Sequence, residues 1–433
     1  MPVLDGWVST VRFAFFSPPF QGHLQPAASL ADALTRRGHE CFLVAHPQTQ
    51  IPERGLKPLW LDPQLCEWTP QQFSLHARSS GLPFGIRRLV RDMTAITDSL
   101  CAQAPALLRE HAIDGVVSDQ MEPAGALVAE HLGLPFVTLA AAAPVNREPL
   151  VPLPVLPWSY DEGENAIGRN RAGEAIADWL TRRHDETIAR WSERFAIAPR
   201  AKLTDCLSPL ADMSQMIAGL DFPRQHLPQS FHHVGRLRPL DGAQDKTELP
   251  RFGSGKLVYA SLGTLQGHRL GLFRRIAKAC RKLDVQLVVA HSGALDPAEA
   301  KLIDADWVLP WVPQEALLAH THVAITHGGL NTVLDGLAAG VPLLCLPLAF
   351  EQPGIGARIA RSGAGTTLSP RSSVDKIALA LAELLEQQSF KQRAAELALE
   401  LASSPGSAGA AAIVEQAVST RRSVLRGTSL QLA

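Results

Sequence analysis

The most informative segment of this chain reads Thr326-His327-Gly328-Gly329-Leu330-Asn331-Thr332. Three apolar residues at 323–325 come directly before it, and the pattern predicts a buried β-strand that runs into a glycine turn and then a helix. The first backbone N–H groups of a helix have no partner within the helix and carry a partial positive charge, so a helix start of this kind binds phosphate. The sequence therefore predicts a phosphate site at the end of a strand.

Residues on either side of this stretch add groups that suit a nucleotide sugar. Trp311 offers an aromatic plane that can stack on a base, and Gln314 follows it closely. Asp335 lies one turn into the predicted helix, where it can accept hydrogen bonds from ribose hydroxyls. Glu351 and Gln352 can hold the hydroxyls of a hexose. A glycine pair before a helix is weak evidence alone, but this combination indicates a site for a nucleoside diphosphate sugar.

Strand–helix alternation begins at residues 11–16, a compact apolar run, and begins again near residue 256. The first helix is predicted to start at Pro26, which suits a first turn, with Gly38 as its C-terminal cap. Such alternation predicts an α/β fold in which parallel sheets are covered on both faces. We expect an N-terminal Rossmann-like domain at 1–234, a linker at 235–255, a C-terminal Rossmann-like domain at 256–415 and a tail at 416–433.

Composition sets limits on the class of protein. The 433 residues are enough for two cores, and the 41 basic and 42 acidic residues give no basic excess that would indicate a nucleic-acid partner. The six cysteines form no CxxC pair, so the sequence predicts neither a zinc site nor a disulfide framework. The start lacks the features of a secretion signal, and no apolar run reaches the ~20 residues that span a bilayer. We expect a cytoplasmic protein.

The residues from Trp311 to Gln352 resemble the C-terminal signature of the UDP-dependent glycosyltransferases that act on small lipophilic molecules. The resemblance implies the GT-B architecture, in which two facing Rossmann-like domains hold the active site in the cleft between them. Two features depart from the pattern of the plant members. The span from Trp311 to His327 is two residues shorter, and Leu330 stands where a tryptophan is common. These two differences affect the contacts between the protein and the edge of the base.

The resemblance implies a role for each matching residue in holding UDP-glucose. Trp311 would stack on uracil, Gln314 would help to hold base and ribose, and Asp335 would hold the ribose. The diphosphate would lie on the glycine turn and on a second loop at 261–264, and the sugar would lie on the Glu-Gln pair. The implied donor residues are Ser261, Thr264, Trp311, Gln314, His327, Gly328, Gly329, Asn331, Thr332, Asp335, Glu351 and Gln352.

His23 matches the position of the family's general base. It follows the first strand in the run Pro18-Pro19-Phe20-Gln21-Gly22-His23, and a hydroxyl acceptor needs a base because a carbinol does not lose its proton unaided near pH 7. A helix N-terminus disfavours the imidazolium, so we expect His23 to be neutral. Asp119, at the end of a strand, matches the family's partner carboxylate, with Asp114 and Glu122 as nearby competitors. The implied reaction is a single inverting displacement.

A metal-dependent alternative arises from Asp304-Ala305-Asp306, which spells the Asp-x-Asp motif of metal-dependent glycosyltransferases of another fold. Here the motif lies just before the strand that leads to Trp311, which is not the context it has in that other fold. A solvated turn is the simpler interpretation. We therefore expect neither a metal ion nor another cofactor, because the helix start at the phosphates and donors such as His327 can stabilise the leaving charge.

The identity of the acceptor is implied by resemblance to the carotenoid-modifying bacterial branch of the family. The segments that carry it lie at 119–125, 143–149, 208–211, 221–224, 260–269 and 347–354. They imply zeaxanthin as acceptor, glucosylated at one ring hydroxyl and then at the other. Phe20, Met121 and Trp158 are the candidate acceptor contacts.

A carotenoid lives in the bilayer, so the resemblance also implies peripheral contact with the inner face of the cell membrane. Arg87, Arg88 and Arg91 have apolar neighbours and can form a basic amphipathic surface, although an ordinary solvated helix gives the same pattern. The interleaved apolar residues are Leu82, Phe84, Ile86 and Leu89.

Other functions remain open at this stage. A glycosyltransferase for a macrolide, flavonoid or sterol would carry the same donor signature. A sugar-nucleotide epimerase shares the two-domain architecture, but it would not need the pair His23 and Asp119. The same pair argues against a catalytically silent sugar-nucleotide-binding protein.

Overall fold

The computed structural model describes residues 10–78, 85–240 and 248–427. Two sheets form its framework, and every strand pairs in parallel with its neighbours. The first sheet has the order β3-β2-β1-β4-β5-β6-β7 and the second has the order β10-β9-β8-β11-β12-β13. The strands are β1 Arg12–Phe16, β2 Glu40–Ala45, β3 Lys57–Trp60, β4 Gly115–Asp119, β5 Phe136–Ala140, β6 Asp212–Ser214, β7 Phe231–His233, β8 Leu257–Ser261, β9 Gln286–Ala290, β10 Trp307–Leu309, β11 Val323–Thr326, β12 Leu343–Cys345 and β13 Gly365–Thr367.

Helices connect the strands and cover both sheets. They are α1 Gln21–Arg36, α2 Pro70–Arg78, α3 Gly85–Glu110, α4 Ala124–Leu132, α5 Glu164–Arg194, α6 Gly263–Gln266, α7 Leu270–Lys282, α8 Pro297–Ala300, α9 Gln314–Leu318, α10 Leu330–Ala338, α11 Gln352–Ser362, α12 Val374–Glu386, α13 Gln388–Ser403 and α14 Gly406–Thr420. Central strands such as β4, β5 and β8 are buried along their whole length, as expected of parallel strands with helices on both faces. The predicted pair of parallel α/β domains is therefore confirmed.

Helix α1 begins five residues before the predicted start at Pro26. The carbonyl of Phe20 accepts hydrogen bonds from the backbone N–H groups of His23 and Leu24, both at 2.9 Å, and these bonds start the helix. Pro26 therefore lies inside α1 rather than in its first turn. A proline there leaves one carbonyl of the preceding turn without its helical donor, and the rest of the helix continues.

The last helix returns to the first sheet. Ile413, Val414 and Ala417 of α14 are buried in the same core cluster as residues of β1 and α1. Glu415 of α14 accepts hydrogen bonds from Arg37 at 2.8 Å and from His39 at 2.7 Å. The expected boundary between residues 415 and 416 thus falls within a helix that packs on the N-terminal sheet. Its apolar side chains need a covered surface, and α1 with its sheet provides one.

A buried ion pair joins the two halves. Arg358 of α11 is 0% exposed and its Nε donates to Asp221 Oδ1 at 2.7 Å, while Arg224 donates to the other oxygen at 2.9 Å. Beside it, the backbone N–H of Gly354 donates to the carbonyl of Pro154 at 3.1 Å. A Cβ at Gly354 would lie 2.1 Å from that carbonyl oxygen, so the contact requires glycine. These contacts fix helix α11 against the N-terminal half.

Within the part of the chain that the structure describes, no single helix is long and apolar enough to cross a membrane. Helices α13 and α14, taken together, have the length and composition of a membrane span, but the two helices meet at a bend of 41°.

We predict that Arg358→Ala destabilises the fold by about 3–5 kcal/mol, because it removes a buried partner of Asp221. Burial raises the pKa of Asp221, but the charges of Arg358 and Arg224 outweigh it and lower that pKa from 3.8 to about 2. The carboxylate therefore stabilises the fold at neutral pH, and this contribution is lost as pH falls from about 4 towards 2. Urea unfolding at pH 7 and at pH 3 measures both effects.

Lys376→Ala is the matched control, since Lys376 is an exposed cation on α12. An Arg358→Ala protein that unfolds at the same urea concentration as the Lys376→Ala protein would contradict the assigned role of the buried pair.

Candidate active site

His23 and Asp119 meet because the two strands before them are neighbours. Phe16, the last residue of β1, pairs with Ser118 of β4, so the segments that follow these strands leave the sheet at the same edge. His23 Nδ1 lies 2.8 Å from Asp119 Oδ2, and the other oxygen of Asp119 accepts from the backbone N–H of Met121 at 2.8 Å. With Nδ1 engaged by the carboxylate, Nε2 is the nitrogen left to accept a proton.

The two other carboxylates that were considered as partners of His23 form hydrogen bonds with other groups. Asp114 lies at the start of β4, where its Oδ2 accepts from the backbone N–H of Arg12 at 2.8 Å. Glu122 is buried, and its Oε1 accepts from the Thr97 hydroxyl at 3.0 Å and from the backbone N–H of Ala124 at 3.1 Å. Burial raises the pKa of Glu122 to about 8, so this residue is mostly uncharged near neutral pH. Geometry therefore pairs His23 with Asp119.

The pKa of His23 is raised above 6.5, contrary to the expectation that the helix start would keep the ring neutral. Burial is the largest influence and lowers the pKa, but the charge and hydrogen bond of Asp119, together with the charge of Glu351, outweigh it. Two nearby anions thus dominate the helix N-terminus, whose effect on a cation is modest. A raised pKa makes His23 a stronger proton acceptor.

His327 occupies a space that two glycines leave open. A Cβ at Gly263 or at Gly329 would lie 2.6 Å from the imidazole, and strand pairing of β8 with β11 brings these loops together. Burial lowers the pKa of His327 to about 4, so the ring is neutral. Its Nδ1 is buried and has no hydrogen-bond partner among the residues the structure describes. His327 also lines the cleft beside the start of α10, where a neutral imidazole suits the expected phosphate contact.

Both oxygens of Asp335 accept hydrogen bonds from protein groups. Its Oδ2 accepts from Gln314 at 2.7 Å, and its Oδ1 accepts from Arg236 at 3.1 Å and Arg238 at 2.7 Å. Gln314 in turn accepts from the hydroxyl of Tyr259 at 3.0 Å. Gln314 and Asp335 therefore form one hydrogen-bonded group with the two arginines, and their contacts with a nucleoside stay predictions. The sequence analysis did not predict that Arg236 and Arg238 of the linker bind Asp335. Two closely spaced positive charges directly after the first domain were the feature of the sequence that could have indicated this contact.

The remaining donor candidates divide into two groups. Ser261 is buried with its hydroxyl 3.4 Å from the N–H of Gly263, and Gly328 adopts a φ of +89° with no room for a Cβ beside Cys345. These two residues shape the turns but do not line the cleft. The candidates that line it are Thr264, Trp311, His327, Gly329, Asn331, Thr332, Glu351 and Gln352.

Glu351 and Gln352 lie opposite His23 at the start of α11. The Oε1 atom of Gln352 accepts from the backbone N–H groups of Leu348 and Ala349, both at 2.8 Å, which fixes the loop before the helix. Burial and the charge of Asp119 raise the pKa of Glu351, although the charge of His23 opposes this. Trp311, at the other end of the donor candidates, is 61% exposed and so presents a free aromatic plane.

A cleft of about 1260 Å³ lies between the two halves. Phe20 and Met121 line it, as expected, but Trp158 does not. Trp158 packs against α5 instead, with the Arg169 guanidinium 4.9 Å from its ring centroid. The apolar wall that sequence reasoning missed comes from α3 and α5, which are far apart in the chain, and it includes Leu89, Val90, Met93 and Leu180. Leu153 and Val155, from the proline-rich connection before α5, line the cleft as well.

The Asp-x-Asp motif lies away from this cleft. Arg281 donates to Asp304 at 3.2 Å and to Asp306 at 3.1 Å, and Asp306 also accepts from the backbone N–H of Leu287 at 2.8 Å. In the described ranges, no group of three or more His, Cys, Asp or Glu side chains is arranged to hold a metal ion.

The chain is similar in sequence to known proteins over most of its length. A family model described as UDP-glucoronosyl and UDP-glucosyl transferase matches residues 178–401. A zeaxanthin glucosyltransferase of Pantoea ananas is 41% identical over 98% of this chain and 99% of its own. A second zeaxanthin glucosyltransferase, from Pseudescherichia vulneris, is 40% identical over 95% of this chain and 99% of its own.

Solved structures share the fold at lower sequence identity. The calicheamicin glycosyltransferase superposes with a TM-score of 0.69 at 22% identity, covering 95% of this chain and 99% of that one. The glycosyltransferase of kitacinnamycin gives a TM-score of 0.69 at 20% identity, covering 94% and 98%. At these identities the likeness concerns the fold.

We predict that Asp119→Asn lowers the pKa of His23, because the amide keeps the shape of the carboxylate but not its charge. Titration of the His23 imidazole by NMR measures the change, with a His23→Gln spectrum to assign the signal. Asp114→Asn, at the opposite end of β4, is the control and should leave the titration unchanged. Equal His23 pKa values in the wild type and the Asp119→Asn variant would show that the raised pKa has another cause.

Proposed function

Because the chain belongs to the UDP-glucoronosyl and UDP-glucosyl transferase family, we propose that it transfers glucose from UDP-glucose to the ring hydroxyls of zeaxanthin, giving first the monoglucoside and then the diglucoside. The observation that carries this proposal is the hydrogen bond of 2.8 Å between His23 and Asp119 at the wall of a large, mainly apolar cleft. The names and near-full-length identity of the relatives support the choice of acceptor.

The proposed reaction is one inverting displacement. The hydroxyl oxygen of the acceptor attacks the anomeric carbon, the bond to the UDP oxygen breaks, and His23 Nε2 takes the hydroxyl proton. Asp119 holds the ring through Nδ1 and stabilises the imidazolium that forms. The departing diphosphate gains negative charge, and the N-terminal end of α10 supplies N–H groups and a positive partial charge for it.

The donor would lie along the second half of the cleft. Trp311 would stack on uracil, His327, Gly329 and Thr332 would hold the diphosphate, and Glu351 would accept from the sugar hydroxyls. Support comes from their common position on the cleft wall. We further propose that catalysis needs no metal ion, and the binding of Asp304 and Asp306 by Arg281 supports this, since it engages the motif outside the cleft.

Access of the acceptor from a membrane is a further part of the proposal. Arg87, Arg88 and Arg91 are exposed near the start of α3, while Leu89 is buried and faces the cleft. Ile86, another apolar residue of the expected surface, also lines the cleft, and the remaining two, Leu82 and Phe84, lie outside the described residues. A peripheral contact on the inner face of the cell membrane would therefore use the arginines, and Leu89 would contact the acceptor inside the cleft.

The first test is mass spectrometry of lipid extracts after incubation with UDP-glucose and zeaxanthin. We expect products one and two hexoses heavier, in equal yield with and without EDTA. Slow release of UDP without a zeaxanthin glucoside would reject this acceptor, and macrolides, flavonoids and sterols would then be assayed. Product formation that EDTA abolishes would reject the metal-independent mechanism alone.

We also predict that His23→Ala lowers kcat by about 10²–10⁴-fold, because the variant lacks the base that accepts the hydroxyl proton. The dissociation constant for UDP should change little, since the proposed diphosphate contacts lie in the other half. His226→Ala removes an exposed histidine and is the control. A His23→Ala enzyme with wild-type turnover would disprove the mechanism.

A further inference from the structure

Phe350 has a backbone conformation that a large side chain rarely adopts. Its φ is +56°, in the left-handed region, where the Cβ of any residue other than glycine lies too close to the following carbonyl oxygen. The loop before it is held in place, because Gln352 Oε1 accepts from the backbone N–H groups of Leu348 and Ala349. Strained residues of this kind cluster at active sites and ligand sites, so the strain indicates a function for the ring of Phe350.

The ring of Phe350 meets aromatic rings of the other half of the molecule. Its centroid lies 6.5 Å from that of Phe20, and Phe20 stacks on Phe73 of α2 with centroids 4.5 Å apart. Phe20 and Phe350 are partly buried and pack against the core cluster that contains Phe73. All three rings also line the cleft. We call these three side chains the aromatic wall, and it joins the two halves along the cleft.

The aromatic wall lies beside the reacting atoms of the proposed transfer. Phe20 directly precedes α1, and its carbonyl accepts from the backbone N–H of His23 at 2.9 Å. Phe350 directly precedes Glu351, which is close enough to His23 for the two charges to interact. The carbon skeleton of an alcohol is bonded to the oxygen that His23 deprotonates. An alcohol in position to react therefore brings its skeleton against these rings, whereas a water molecule leaves them uncovered.

We propose that Phe350 is a specificity-determining residue, whose ring contacts the apolar ring of the acceptor beside the reacting hydroxyl and excludes water from the anomeric carbon. The inference rests on the proposed function, because it takes UDP-glucose as the donor and His23 as the base. Water is the competing nucleophile. Its oxygen can attack the same carbon, the bond to the UDP oxygen then breaks, and His23 takes the proton, so that glucose and UDP are released. An apolar surface at this point favours an apolar acceptor over water.

Phe350→Ala tests this role. With UDP-glucose and zeaxanthin, we expect the ratio of free glucose to glucoside to rise roughly 10-fold or more, because the ring that contacts the acceptor and excludes water is removed. Phe350→Leu keeps apolar volume on the same strained backbone, so its ratio should stay much closer to the wild-type value. Phe252→Ala is the control, since Phe252 is a partly buried phenylalanine that packs on Trp307 and does not line the cleft.

Equal ratios in the wild type and the Phe350→Ala variant would overturn the proposal, even if both rates fell, because a merely structural role slows hydrolysis and transfer together. Hydrolysis of UDP-glucose without any acceptor should also be faster in Phe350→Ala than in the wild type. That measurement tests the exclusion of water even if zeaxanthin proves not to be the acceptor, and a rate no faster than that of the wild type would contradict it.

The backbone strain has a test that needs no substrate. Phe350→Gly removes the ring as Phe350→Ala does, but glycine adopts a φ of +56° without strain. We expect the Phe350→Gly protein to have the higher thermal midpoint of the two, and to show the same raised ratio of glucose to glucoside. A Phe350→Gly protein with the lower midpoint would show that the fold does not impose strain at this position, and the inference from strain to function would fail.

Discussion

The parallel pairing of strands fixes where the candidate site residues of both halves lie. Phe16 pairs with Ser118 in the first sheet, and Ser261 pairs with Thr326 in the second. Because parallel strands end at the same edge, each pairing brings two loops together that are distant in sequence. The first pairing creates the contact between His23 and Asp119, and the second encloses His327 between glycine turns. The candidate catalytic and donor-binding side chains lie in the cleft because both sheets have these edges facing it.

Burial and partners together decide the charge of each polar group in this protein. Asp221 is buried but lies between two arginines, so its pKa falls to about 2, whereas Glu122 is buried with hydrogen bonds alone and its pKa rises to about 8. His23 follows the same rule, since Asp119 and Glu351 outweigh its burial. The partial charge at a helix terminus is too small to reverse such effects. The pKa of His23 is therefore raised, although its position at a helix start suggests a lowered pKa.

Contacts between the two halves were hidden from sequence reasoning. The carboxylate of Asp335 accepts hydrogen bonds from Arg236 and Arg238 of the linker, which local pattern did not predict. The amide of Asn331 likewise bridges Gly22 and Gln215. Each contact involves partners separated by about a hundred residues or more. The local sequence pattern identifies a polar residue at the start of a helix. It does not indicate which residue from a distant part of the chain will form a hydrogen bond with it.

Local periodicity and the backbone freedom of glycine predict the alternation of strands and helices and the glycine turns, and the resemblance of the motifs indicates the candidate base and donor site. Other features became evident only in the folded chain: the start of α1 at Gln21, the return of α14 to the first sheet, the position of Trp158 outside the cleft, and the partners of Asp335 and Asn331. These outcomes depend on which buried surfaces and unpaired polar groups meet in space, and the chain specifies them only when it is folded as a whole.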